Sequence, residues 1–271
     1  MKKTAKKDVR VCSNGAQLKV DVVIPTIGET SLSLCLQAIE KSMRVNRIIL
    51  VGPEDLRSRF KDWKKIMIVV SNSKNVGKKR DLGLEYVTTK YYASIDSDVI
   101  VNKRWFDWCM QTIVKERVAA CEGYGKGSQR NVRILMEDFK NGKDWVGLGN
   151  TLLRTDVIRK VGMPEKKYAE DHELVRRIRS IGYKWILNLN ISCQHLVSDV
   201  GYWKHRAKWG EIAGIEAFEL TQWLRTVAWT HSKCLLRNKL SDCLFFCISE
   251  YFCLYGYLKG VIKRKLNISN V

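Results

Sequence analysis

Between Tyr91 and Asn102 the chain reads YYASIDSDVIVN, an apolar run broken by two carboxylates one residue apart. A strand buried on both faces is a near-continuous apolar run, and an acid inside it costs free energy unless something pairs with the charge. If the strand continued, Asp96 and Asp98 would point to one face, because side chains alternate with a period of two. Like charges so placed repel unless a cation sits between them and a ligand. One or two carboxylates completed by substrate phosphates is the usual setting for Mg2+, and Mn2+ takes the same ligands. Asp pairs at strand ends also form turns, so the metal reading draws its weight from the residues that accompany it. The chain has no G-x-x-x-x-G-K-[ST] and no G-x-G-x-x-G after a strand, so phosphates bound here would need neutralising in some such way.

Asp171 is the companion. In EDHELVRRIRSIG it stands at i with Leu174, Val175 and Ile178 at i+3, i+4 and i+7, so it heads the stripe of a helix that would pack on the body. A carboxylate at a helix N-terminus compensates the dipole. The same group can accept a proton from a substrate hydroxyl, with Glu170 flanking it.

The elements that must carry these acids are legible in part. VDVVIPT, NRIILVG and KIMIVVS read as strands, Leu32–Ser42 and Lys78–Val87 as helices, and YYASID as the next strand. Strands separated by helical patterns imply parallel β-α-β units and a layered α/β fold, whose ligands sit at the carboxyl ends of the strands. Further on, Val118–Glu122 and Trp145–Leu148 look strand-like, with CEGYGKGSQRN between them a loop. YKWILNLNISCQH reads as a strand pair or one bent strand, after a helix that Gly182 ends.

Composition bounds the rest. The 271 residues, 45% apolar with nine Trp, suffice for a packed core. The 48 basic and 28 acidic residues leave a net charge of +20, which favours a polyanionic partner: nucleic acid, an anionic membrane or a phosphorylated substrate. The nine cysteines include no C-x-x-C pair, which argues against a disulfide framework or zinc ribbon and for a reducing, cytoplasmic setting. The basic start MKKTAKKDVRVCSNG leads into no apolar signal region.

Five segments, in order, carry a resemblance: VVIPTIGE, NVGKKRDLGLEY, IDSDV, GNTLLRTDVIRKVGMPE and AEDHELVRRIRSIGYKW. Together, from about Asp21 to His195, the chain resembles the inverting family 2 glycosyltransferases. The resemblance implies a GT-A fold: α/β, Rossmann-like, with a mostly parallel central sheet flanked by helices. It implies transfer of a sugar from a UDP- or GDP-sugar to an acceptor hydroxyl. By the same resemblance Pro25, Thr26 and Glu29 would line the base and ribose pocket, and Asn75, Gly77 and Arg80 would lie beside the ribose and diphosphate. Asp96 would contact the nucleoside, Asp98 would hold Mg2+ or Mn2+, and Asp171 would be the general base. His195 matches a position that supplies a further metal or phosphate contact in some members, or is a structural histidine. Glu170, Asn150 and Trp145 would lie on the acceptor side. Two departures bear on nucleotide identity. Where the family often has an acidic cluster after its second strand this chain has VGPED, so that Glu54 or Asp55 would substitute, and the N-x-G…R-N element is shortened to NVGKKRD.

The implied organisation is a basic arm at 1–19, a glycosyltransferase domain at 20–200 and a C-terminal helical extension at 201–271. The domain's nucleotide half spans about 20–100 and its acceptor half about 101–200. In the extension, Leu240–Leu258 is long enough to cross a bilayer but carries Asp242 and Glu250, which are costly at such depth. An in-plane helix on an anionic membrane surface, or a helix packed on the domain, suits it better. That points to a lipid-linked or membrane-proximal glycan acceptor and a peripheral place at the cytoplasmic membrane face. A nucleic-acid-binding protein is the rival reading, favoured by YWKHRAKW with bases between aromatics. Acids at strand ends, which would repel a phosphate backbone, count against it. A nucleotide-binding scaffold without turnover is a third.

Overall fold

The computed structural model describes residues 18–126, 147–166, 170–196, 204, 206–212 and 240–266. Four strands open the chain, β1 (Val20–Pro25), β2 (Val45–Gly52), β3 (Ile66–Val70) and β4 (Tyr91–Ile95), with helices α1 (Leu32–Glu40), α2 (Leu56–Arg59) and α3 (Val76–Glu85) between them. β1 and β4 are buried along their whole length, as their largely apolar sequences favour, with Asp21 of β1 the buried exception. The run YYASIDSDVIVN is two strands. It breaks after Ile95, and Val99–Val101 forms β5, which pairs antiparallel with a distant strand.

The second half supplies α4 (Trp105–Ile113), β6 (Val118–Lys126), β7 (Asn150–Arg154), α5 (Thr155–Val161), α6 (Glu170–Ser180) and β8 (Lys184–His195). Two sequence readings are corrected here. Residues 121–126, taken as part of a loop, continue β6, because β8 lies parallel beside them and satisfies their backbone. Gly147 and Leu148 are not in a strand; the strand begins at Asn150, in register with Ile95. β8 is one bent strand, and its register against β6 shifts between Gly123 and Tyr124.

The eight strands form one sheet in the order β3-β2-β1-β4-β7-β6-β8-β5. Neighbours from β3 to β4 are parallel, β7 runs antiparallel to both β4 and β6, and β6–β8 is again parallel. One face is covered by α1 and α4 through Leu32, Leu36, Trp105 and Phe106. The other is covered by α3, α5 and α6 through Leu84, Ile158, Leu174 and Ile178.

The C-terminal helix α7 (Leu240–Lys265) crosses a helical segment at 206–212. A methyl group at Gly210 would overlap the Cys253 carbonyl, and one at Gly256 would overlap that of Ala207. The two backbones therefore touch where neither residue has a side chain. Arg206 and Glu250 form a buried ion pair beside this contact, and Glu211 bridges Lys259 at 3.1 Å and Lys263 at 2.6 Å. Among the described residues no helix is long and apolar enough to cross a membrane.

Candidate functional site

Asp96 follows the carboxyl end of β4, at the point where the sheet changes from parallel to antiparallel neighbours. In open α/β sheets ligands sit in the crevice at such a switch. The Asp96 N–H donates to the Gly149 carbonyl at 2.9 Å, which ties the turn to the start of β7. Two residues on, Asp98 Oδ2 lies 3.1 Å from His195 Nε2, with both side chains about 30% exposed. The β5–β8 ladder places His195 opposite Val99 and so brings the pair together. Burial opposes protonation of His195, but the hydrogen bond and charge of Asp98 raise its pKa overall.

Arg80 joins the two acidic motifs. It is 4% exposed and donates from Nη2 to Asp96 Oδ1 at 2.7 Å and from Nη1 to Glu170 Oε1 at 2.5 Å. Arg80, expected by resemblance beside the ribose and diphosphate, spans the end of β4 and the start of α6. In α6 it is Glu170, with Leu174 and Ile178, that takes the buried face, and Asp171 is partly exposed. Asp171 Oδ1 accepts the His172 N–H at 2.8 Å. Burial raises the pKa of Asp171 against the pull of His172 and Arg80, and burial likewise raises that of Glu170 against Arg80. A carboxylate so shifted is the better proton acceptor.

The loop after β1 is tightly bonded. Thr26 Oγ1 donates to Glu29 Oε2 at 2.5 Å and accepts the Gly28 N–H at 2.9 Å. The buried Lys79 donates to the Thr26 carbonyl at 2.6 Å, and burial, opposed by Glu29, lowers its pKa. Pro25 closes β1 just before this loop. Asn75 caps α3 by accepting the Lys78 N–H and donates to the Glu165 carbonyl at 2.5 Å. Gly77 lies against the carbonyls of Pro164 and Lys166. Both therefore fasten the segment after α5 to α3. Glu54 and Asp55 are exposed and ion-paired with Arg57 and Arg59 on α2.

Asn150 opens β7, and its buried Oδ1 has no hydrogen-bond partner among the described residues. The same holds for the Trp105 indole N–H, and both atoms lie against Gly123. Trp145 falls outside the described residues. Sequence reasoning missed Glu122. It is buried in β6, accepts from Trp185 Nε1 at 3.0 Å and from the Gly147 N–H, and its pKa is pushed up to about 8 by burial, with Asp171 adding to the shift. The signal was present, since Glu122 interrupts VAACE as Asp96 interrupts YYASID. Lys79 and Trp105 were missed too, and nothing in their spacing marks them.

The donors suit a hard cation only in part. Among the described residues no group of three or more His, Cys, Asp and Glu is arranged to hold a metal. Asp98 and His195 offer one carboxylate and one imidazole, and Asp96 is already bonded to Arg80. Such a set fits Mg2+ or Mn2+ where phosphates of a ligand complete the coordination.

The sequence matches no protein-family model and no curated protein. Solved structures share its fold. The mannosyltransferase PcManGT from Pyrobaculum calidifontis, in complex with GDP-Man and Mn2+, superposes with a TM-score of 0.65 at 14% identity, over 93% of this chain and 88% of that one. TarS 1–349 from S. aureus gives a TM-score of 0.51 at 13% identity, over 92% of each chain. The fold is the GT-A arrangement, with a central sheet flanked by helices and a helix at the C-terminus.

Proposed function

We propose that this chain is an inverting glycosyltransferase that moves a sugar from a UDP- or GDP-sugar to the hydroxyl of a glycan or lipid-linked acceptor. One observation carries the reading. At the carboxyl end of β4, Arg80 draws Asp96 and Glu170 together, while Asp98 meets His195 and Asp171 stands next to Glu170. A cation-dependent sugar donor is the ligand that such an excess of acids over bases accommodates. The likeness to a mannosyltransferase with GDP-Man and Mn2+ bound supports it at the level of fold.

In this reading Thr26, Glu29 and Asp96 bind the nucleoside, with Pro25 and the α3 start framing the pocket. Asp98 and His195 would hold the divalent cation, which when bound would offset charge on the departing diphosphate. Asp171 takes the proton of the acceptor hydroxyl as that oxygen forms its bond to the anomeric carbon. The bond from that carbon to the phosphate oxygen breaks, and the nucleotide diphosphate leaves with the electron pair. Attack opposite the leaving group inverts the anomeric centre. Glu170 keeps Arg80 in place, and Asn150 and Trp145 belong to the acceptor side. The domain limits at 20–200 and a peripheral position at the cytoplasmic membrane face are parts of the same proposal.

Calorimetry with GDP-Man, UDP-sugars and the free nucleotides, in Mn2+ and then in excess EDTA, tests it. We expect metal-dependent binding of one nucleotide, lost in Asp98→Ala. Asp171→Asn should retain binding and lose transfer by roughly 10²- to 10⁴-fold. Absence of nucleotide binding together with tight, salt-sensitive binding of single-stranded nucleic acid would overturn the proposal.

A further inference from the structure

Four large side chains of α7, and Leu266 just past its end, lie more than half in solvent. Tyr251, Tyr255, Leu258, Ile262 and Leu266 are 52–67% exposed. At about 100° per residue they fall on one side of the helix. Cys253, Gly256 and Gly260, all buried, fall on the opposite side. The glycine contact with the 206–212 segment uses that second side. The crossing that fixes α7 thus leaves its apolar stripe facing outward.

Charge indicates what covers the stripe. Lys259, half exposed and also bonded to Glu211, and exposed Lys265 border it on its two edges. The chain carries +20 overall. A second copy brought against this stripe would set lysines against lysines, whereas an anionic surface would attract them. The tyrosine rings pair an apolar body with a polar tip, which suits the boundary between water and acyl chain.

We infer that α7 lies in the plane of an anionic bilayer, with Tyr251, Tyr255, Leu258 and Ile262 of the helix and Leu266 just past its end inserted at the headgroup level and Lys259 and Lys265, at the edges of the stripe, toward the lipid phosphates. The inference rests on the proposed membrane-proximal acceptor and deepens it by assigning the face that meets the membrane. The active domain would then be held at a fixed height beside acceptors displayed on that surface.

The test is flotation of the full chain with phosphatidylcholine vesicles, with and without phosphatidylglycerol. Leu258→Glu/Ile262→Glu is compared with Met43→Glu, which alters an exposed apolar residue far along the chain. We expect binding to the anionic vesicles that weakens as salt is raised. It should fall about tenfold or more in the double variant, as apolar insertion is lost, and stay unchanged in Met43→Glu. Thermal melts and nucleotide calorimetry report separately whether the variants fold and whether the donor site stands. Vesicle binding without nucleotide binding would remove the transferase reading and leave the membrane face intact. Failure of the wild type to bind anionic vesicles, or equal binding by the double variant, would overturn the inference. So would a wild-type dimer, dissolved by the double variant, that ignores vesicles.

Discussion

Arg80 and Arg206 are both buried arginines bonded to glutamates, and they differ in the company they keep. Among the described residues Arg206 meets the carboxylate of Glu250, beside a glycine crossing of two helices. That pair is neutral. Arg80 meets two, Asp96 and Glu170, with the charge of Asp171 also acting on it. Burial lowers the pKa of Arg80, yet the three acids raise it overall. The difference separates a fastening from the proposed binding site. A balanced pair only has to offset its own desolvation, whereas an imbalanced cluster keeps negative charge in reserve for a ligand that brings a cation.

The contrast can be broken most directly at Arg80. Arg80→Ala strands two acids and should cost about 3–5 kcal/mol of stability, read by urea denaturation, and should abolish nucleotide binding. Arg206→Ala strands one acid and should cost at the lower end of that range. Replacing both partners by apolar residues, Arg206→Met with Glu250→Leu, should return stability close to wild type with nucleotide affinity untouched. If the apolar pair stayed as unstable as the single variant, the idea of a mere fastening would fail.

Glu122 sharpens the comparison, since it is held by an indole and a backbone N–H instead of an arginine. Its folded pKa of about 8 stands above the ordinary 4.5. Between those values the folded state keeps a proton that the unfolded state has released. Stability from this group is therefore full below about pH 4.5 and declines as pH rises towards about 8, with a slope of at most about 1.4 kcal/mol per pH unit. Glu122→Gln should flatten the decline, seen as denaturation midpoints that converge at acid pH and separate at alkaline pH. The smallest effect is expected from Gly256→Ala, where the added methyl meets the Ala207 carbonyl. Forcing the crossing apart should cost about 1–3 kcal/mol in a thermal melt and leave nucleotide affinity unchanged.

The parallel half of the sheet was legible because β1, β2 and β4 are largely buried on both faces, and α1 shows an apolar stripe. β1 to β4 fall where the apolar runs put them. The second half was harder, since antiparallel β7 and the bent β8 take their limits from partners far along the chain. Asp96 and Asp98 were correctly placed at a strand end, but apolarity alone does not separate them from Asp21. That acid also interrupts an apolar run, yet is consumed by Asn46 and the Thr88 and Thr89 N–H groups. Arg80 was named from the resemblance, but its two carboxylate partners were not legible, for a related reason. It shares the buried stripe of α3 with Gly77 and Leu84, and a search for apolar periodicity passes over an arginine in such a place. In α6 the buried face that the apolar spacing assigned to Asp171 is headed by Glu170, which had been read only as its flank.

The bonds from Arg80 to Glu170 and from Asn75 to Glu165 each span 90 residues. A chain emerging from the ribosome therefore makes the first four strands long before it can complete the charge cluster. Until α6 arrives, the Arg80 guanidinium has one of its two carboxylates, and contacts of such sequence separation form late and slowly. The first four strands are then poorly suited to stand alone, and a fragment ending before Glu170 is a natural substrate for chaperones and proteases.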